Sequence, residues 1–225
     1  MPRTARIAPG GMIFHVLNRG VGRRDIFAKD EDFAAFERVM AHALQAVPIS
    51  LLAYCIMPNH WHLLLCPARR GQLAAFMARL TMTHTRRWQE HYHQVGFGHL
   101  YQGRFKSFPV QDDLHFLTVA RYIERNPLRA NLVEKATDWR WSSLHRRLHL
   151  SEGAEIALAP WPVERPSDWM RRIQTPQNQK ELEALRTSLE KGRPFGDAAW
   201  QATTTRKLRL HSSYRKPGRP RKPTK

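Results

Sequence analysis

An α+β domain with a ferredoxin-like (RRM-like) antiparallel sheet and helices packed on one face is the fold the sequence predicts. Three observations carry it. Four short stretches of strand-like composition alternate with two long stretches whose apolar residues recur at helical spacing, in the order β-α-β-β-α-β, and a third helix follows. The two middle strands are joined only by Met57-Pro58-Asn59, a tight connection. In such a fold the helices cover one face of the sheet and the other is open for a ligand.

Met12 to Arg19 alternates as a first strand and ends at the turn signal Asn18-Arg19-Gly20. Asp30 to Val47 carries Phe33, Phe36, Val39, Met40, Ala43 and Leu44 on one helical face, with Asp30 as its cap and Pro48 as its stop. Ile49 to Ile56 and His60 to Cys66 form the hairpin, with Ile56 opposite Trp61. Gly71 to about Tyr92 is the second helix, and Tyr101 to Val110 the fourth strand. Asp112 or Asp113 caps a third helix, Leu114 to Asn126, that Pro127 ends. A helical stretch around Trp139 to His149 closes the main domain, residues 1–150. A Gly- and Pro-rich connection opens a small helical appendage, residues 151–205. Thr175-Pro176 starts one of its helices, Gly192 ends it, and a further helix runs from Asp197 to about Leu210. Residues 206–225 hold nine Lys/Arg and no acid, the composition of a disordered basic tail.

The 225 residues are 42% hydrophobic, enough for a packed core. Against 19 acids stand 37 Lys and Arg, a formal charge of +18, which points to a polyanionic partner and first to nucleic acid. A basic membrane-surface protein would need an amphipathic helix with a large apolar face, and none is evident. No apolar run approaches a membrane span, and the N-terminus lacks the apolar segment of a secretion signal. The hairpin register holds Cys55 and Cys66 too far apart to bridge, as suits reduced thiols in a cytoplasmic, nucleoid-associated protein.

In the third strand His60 and His62 stand two apart, so both imidazoles leave the same face while Trp61 and Leu63 leave the other. That suits two ligands of one metal ion, and it equally suits a half-exposed strand. Tyr122 and Asn126 lie four apart on the third helix and share a face beside the apolar stripe of Phe116, Ala120 and Ile123. Taken singly, Tyr122 reads as a boundary tyrosine and Asn126 as a helix-terminal residue before proline.

Together, AYCIMPNHWHLLL and RYIERNPLRANLV resemble the single-tyrosine HUH transposases, in which two histidines flank a hydrophobic residue. The likeness is closest to the REP-associated branch, whose members act on repetitive extragenic palindromes. It extends over about residues 1–150, with HVLNRG, LYQGRFKS and WRWSSL as further similar stretches. The resemblance implies that Tyr122 is the nucleophile and that His60, His62 and Asn126 hold a divalent metal. Trp61 is bulkier than the family's usual aliphatic residue there, a difference expected to act on packing. The partners implied are single-stranded, REP-like DNA hairpins, engaged by a monomer or a homodimer.

The chemistry has its own logic. Neutral His and Asn ligands leave a cation most of its charge to polarise a phosphodiester, and two imidazoles with a carbonyl oxygen suit Mg²⁺ or Mn²⁺ with open positions. A free tyrosine has a pKa of about 10 and needs help to become a nucleophile. Its attack would leave a 5′-phosphotyrosine and a free 3′-hydroxyl. His115, seven residues before Tyr122, is a candidate to orient or deprotonate it, or else a surface histidine. Arg19, Arg104 and Lys106 are candidates for DNA contact, with a solvated surface charge as the alternative for each. Arg219 and Arg221, within Lys216 to Arg221, resemble an AT-hook, against which stands an unspecific polycation. Two functions remain in view: a metal-dependent DNA strand-transferase, and a non-catalytic DNA- or RNA-hairpin-binding regulator of the same fold.

Overall fold

A computed structural model of the chain describes residues 7–149 and 156–214. Its centre is a four-stranded antiparallel sheet of β1 (Ile13–Arg19), β2 (Ser50–Met57), β3 (His60–Cys66) and β4 (Lys106–Val110). Their order across the sheet is β2-β3-β1-β4, the ferredoxin-like order. The hairpin register is the expected one, with Ile56 opposite Trp61 and Cys55 opposite His62. Both cysteines are free thiols.

Helices α1 (Asp30–Ala46) and α2 (Gln72–His91) cross behind one face. Phe36, Val39 and Met40 of α1 and Phe76, Met77 and Leu80 of α2 close over Val16, Tyr54, Ile56, Trp61 and Leu63. Each of these large side chains contributes about 1.5–3 kcal/mol by leaving water. Asp32 starts α1 by accepting from Ala28 N (2.8 Å) and Lys29 N (3.2 Å), which satisfies donors the helix itself cannot. Gly71, at φ +85°, supplies the left-handed residue from which α2 starts.

The second face differs from expectation: it is largely covered. Helix α3 (Leu114–Glu124) lays Phe116, Val119, Ala120 and Ile123 on Ala53, Cys55, Leu64 and Phe108. The apolar residues of α3 need a partner, and the first face already has two helices. Pro127 does not simply end this helix. The chain breaks at Arg125 and makes one more turn, α4 (Asn126–Arg129), with proline in the first turn, where its missing N–H costs nothing.

The short helix α5 (Ser143–Leu148) is capped by Ser142, and Trp139 Nε1 donates to Ile56 O (2.9 Å). In the appendage, α6 (Trp169–Gln174) ends against Arg121 of α3 and Arg125 just past it. Arg121 Nη2 donates to the carbonyls of Thr175 and Pro176, and Arg125 Nη1 to those of Ile173 and Gln174. Helix α7 (Gln179–Lys191) starts at Asn178, later than Thr175-Pro176 suggests, because Asn178 and Glu181 form a capping box. Gly192 ends it in the left-handed conformation, as expected. Phe195 then bridges to Val110 at the edge of β4. Helix α8 (Ala198–Lys207) brings Leu208 into the core of the first face. A single turn, His211–Tyr214, follows α8.

Candidate active site

The strand alternation places His60 and His62 on the α3 face and Trp61 on the other. Asn59 Nδ2 donates to Arg23 O (3.1 Å), which turns Asn59 Oδ1 toward His60 Nδ1 at 2.6 Å. Since Oδ1 can only accept, Nδ1 of His60 carries the proton and the lone pair falls on Nε2. His62 Nδ1 lies 2.9 Å from Nε2 of His15, the β1 histidine opposite Leu64, and the two rings stack at 5.0 Å. His62 Nε2 is buried and without a partner.

Burial drives His15 and His60 down to about 3, helped by His60 for the first and by Arg19 and Arg129 for the second. His62 falls well below its usual range through burial and then the nearby His60 and His15. All three rings are neutral at physiological pH, the form in which an imidazole can hold a metal.

Helix α3 sets Tyr122 edge-on to His62, with ring centroids 5.7 Å apart, and to His15 at 6.4 Å. One turn on, Asn126 is buried; its Nδ2 has no partner, and its Oδ1 accepts from Arg129 Nη2 at 2.7 Å. The Arg129 guanidinium lies 4.1 Å from the centre of the Tyr122 ring, so it touches both residues. His60, His62, Tyr122 and Asn126 are thus gathered at one end of the sheet, and the first, second and fourth are the side chains that could hold a metal.

The other sequence candidates divide. Arg19 pairs with His60 across β1 and β3 and has a buried Nε without a partner. Lys106 shares a row with Leu17 and His62, so it stands two strands from His62 on the same face. Arg104 is separated from Lys106. It precedes β4 and lines a groove of about 890 Å³ against α2, with Met77, Met82 and Phe105. His115 is not brought to Tyr122: it sits two turns away, Nδ1 2.8 Å from Asp113 Oδ1 and its ring against Phe195. Arg219 and Arg221 lie outside the described residues.

Sequence reasoning missed His15 and Arg129. The only signal for His15 was its place two residues before Leu17 on an alternating strand, and for Arg129 its spacing of three from Asn126. It also missed Glu124, fully buried on α3. Ser143 Oγ and Trp169 Nε1 each donate to it at 2.9 Å, and burial raises its carboxyl above the usual range.

The sequence profile of the family described as "Transposase IS200 like" matches residues 10–126, just over half of the 225 residues. The chain belongs to the IS200-like transposase family. As a family member it is a DNA-processing protein of transposase type, and the matched segment runs from just before β1 to Asn126. It is 29% identical over 137 residues to a Haemophilus influenzae protein assigned as a REP-associated tyrosine transposase, which covers 56% of this chain and 74% of the relative. A solved REP-associated tyrosine transposase bound to a REP hairpin is 18% identical, with a TM-score of 0.49 over 74% of this chain and 93% of that one. A transposase structure from Deinococcus radiodurans is 19% identical, with a TM-score of 0.40 over 55% and 94%. Among the described residues no helix is long and apolar enough to cross a membrane.

Proposed function

We propose that this IS200-like transposase is a divalent-metal-dependent single-strand DNA endonuclease and strand-transferase acting on REP-type hairpins through Tyr122. The observation that carries the reading is the placement of Tyr122 beside His62, with Asn126 one turn further on and His62 Nε2 buried without a partner. The donor set fits a hard divalent ion: two neutral imidazoles with Nε2 available and one amide oxygen, on residues 60, 62 and 126. Mg²⁺ or Mn²⁺, held there by His60, His62 and Asn126, would supply positive charge to polarise a scissile phosphate.

The residues do the rest. Asn59 and His15 hold the two imidazoles in orientation through Nδ1. Helix α3 aims the phenol at the phosphate that the site receives. The phenol oxygen attacks phosphorus, the bond to the 3′-oxygen breaks, the phenol gives up its proton and the leaving 3′-oxygen takes one up. A 5′-phosphotyrosine and a 3′-hydroxyl result, and the reverse attack rejoins strands without a nucleotide cofactor. A non-catalytic hairpin-binder has no use for a buried tyrosine packed against two histidines, so the enzyme reading is preferred.

Incubation with single-stranded REP-like hairpins and Mn²⁺ is expected to yield an adduct that survives denaturation. Tyr122→Phe should abolish the adduct and leave binding largely intact, and His60→Ala should remove the metal stimulation. An adduct formed by the Phe variant would overturn the assignment of the nucleophile.

A further inference from the structure

Arg129 has an unusual set of contacts for a half-buried arginine. Nη2 is committed to Asn126 Oδ1 at 2.7 Å, the guanidinium carbon stands 4.1 Å from the Tyr122 ring centre, and Nη1 is buried with no partner. Among the described residues no carboxylate forms an ion pair with it, whereas Arg121 pairs with Glu181 and Arg146 with Glu37. A guanidinium is charged at every accessible pH, so the site carries a fixed positive charge on its nucleophile and on one proposed metal ligand.

We propose that Arg129 is a positioning residue which holds Asn126 and Tyr122 in their site geometry and, by the same contact, opposes tight binding of a divalent cation by itself. This rests on the metal reading of His60, His62 and Asn126. The physics has two parts. An amide oxygen offers two lone pairs, and Arg129 already uses one, so a cation at Oδ1 shares its ligand with a positive donor. The two cations would then stand only a few ångströms apart, where like charges repel even through partial screening. Holding the amide by a charged donor also fixes which of its ends faces the donor set, which an unpartnered Nδ2 would not do. A residue present only for packing would show none of these: it would lend stability, and its removal would loosen the ligands.

Mn²⁺ titration of the full-length, DNA-free protein, followed by the electron paramagnetic resonance of free Mn²⁺, separates the two. Arg129→Met removes both charge and donor, and Arg129→Gln removes the charge but keeps an N–H for Asn126. Each is expected to bind Mn²⁺ at least about tenfold more tightly, the effect of a unit and a double charge roughly 5 Å apart even when screened as in bulk water. Arg129→Lys keeps the charge and should stay within about threefold of the unaltered protein. His62→Ala should bind more weakly. If both neutral variants bind Mn²⁺ equally or less tightly while His62→Ala still loses affinity, the role given to Arg129 is wrong and the metal site stands. If His62→Ala binds as well as the unaltered protein, the metal site falls and the proposal with it.

Discussion

His15 provides the sharpest test of how the histidine pair is built. For His62 Nε2 to offer its lone pair, Nδ1 must carry the proton and donate to His15 Nε2, 2.9 Å away. His15→Phe keeps a ring of similar size against Phe108, whose centroid is 4.9 Å away, but cannot accept that proton. The change leaves a donor buried without a partner, at about 1–3 kcal/mol, and frees the imidazole to turn about its χ2. Losing such an orienting partner typically costs about 10- to 100-fold in metal affinity. The expected result is therefore Mn²⁺ binding weaker by about 1.4–2.7 kcal/mol, measured by calorimetric titration of DNA-free protein. Cleavage should fall with it at limiting metal and recover as metal saturates, because Tyr122, the proposed nucleophile, is untouched. Unchanged Mn²⁺ affinity in a folded His15→Phe protein would refute the reasoning.

Two further outcomes follow from groups outside the site. Burial holds His84 at about 3, against about 6.5 in an unfolded chain, so the unfolded state takes up the extra proton and stability is complete above about pH 6.5 and lost as pH falls toward 3. His84→Leu should flatten the urea-midpoint profile between about pH 6 and 4 by up to one proton, or about 1.4 kcal/mol per pH unit; identical slopes would show that His84 does not carry this titration. Arg125→Ala removes the donor to the Ile173 and Gln174 carbonyls at the end of α6, and amide exchange there should quicken several-fold while β1 and β3 keep their protection. Uniform loss across the sheet would mean that the appendage and the main domain unfold as one unit.

The strands and long helices were legible because period two and period 3.6 are written directly in apolar residues. His60, Trp61 and His62 took the faces that alternation demands, and the register of Ile56 with Trp61 followed from the tight connection. What periodicity cannot give is which face a later helix covers. Helix α3 was expected to meet the histidines, yet the same face was read as open, and the packing resolves that conflict by laying its apolar stripe on Ala53, Cys55 and Leu64. Tyr122 and Asn126 were found because their spacing joins a known motif. His15 and Arg129 act through partners 47 and 3 residues away, and only the first of those separations needs the folded sheet to be seen. Fourth-strand length was over-read for a local reason: Tyr101 touches the sheet at one bridge to Gly20, and a bend through Gly103, at φ +79°, separates it from β4.

Trp61 explains why that bend matters. As the middle residue of the histidine triplet it is fully buried behind the strand, stacked on Phe36 with centroids 5.8 Å apart. Its Nε1 can only donate and does so to Tyr101 Oη at 3.0 Å, so the Tyr101 hydroxyl must spend its own proton on His84 Nδ1, 2.6 Å away. The result is a directed chain, Trp61 to Tyr101 to His84, that ties the back of β3 to α2. On the front, Asn59 and His15 hold the imidazoles of His60 and His62. The strand is thereby fixed from both faces, and an aliphatic residue at position 61 would give up the rear anchor while keeping the alternation. A bulky tryptophan is thus compatible with the alternation because its polar edge is satisfied, and it adds rigidity to the strand that carries the two histidines.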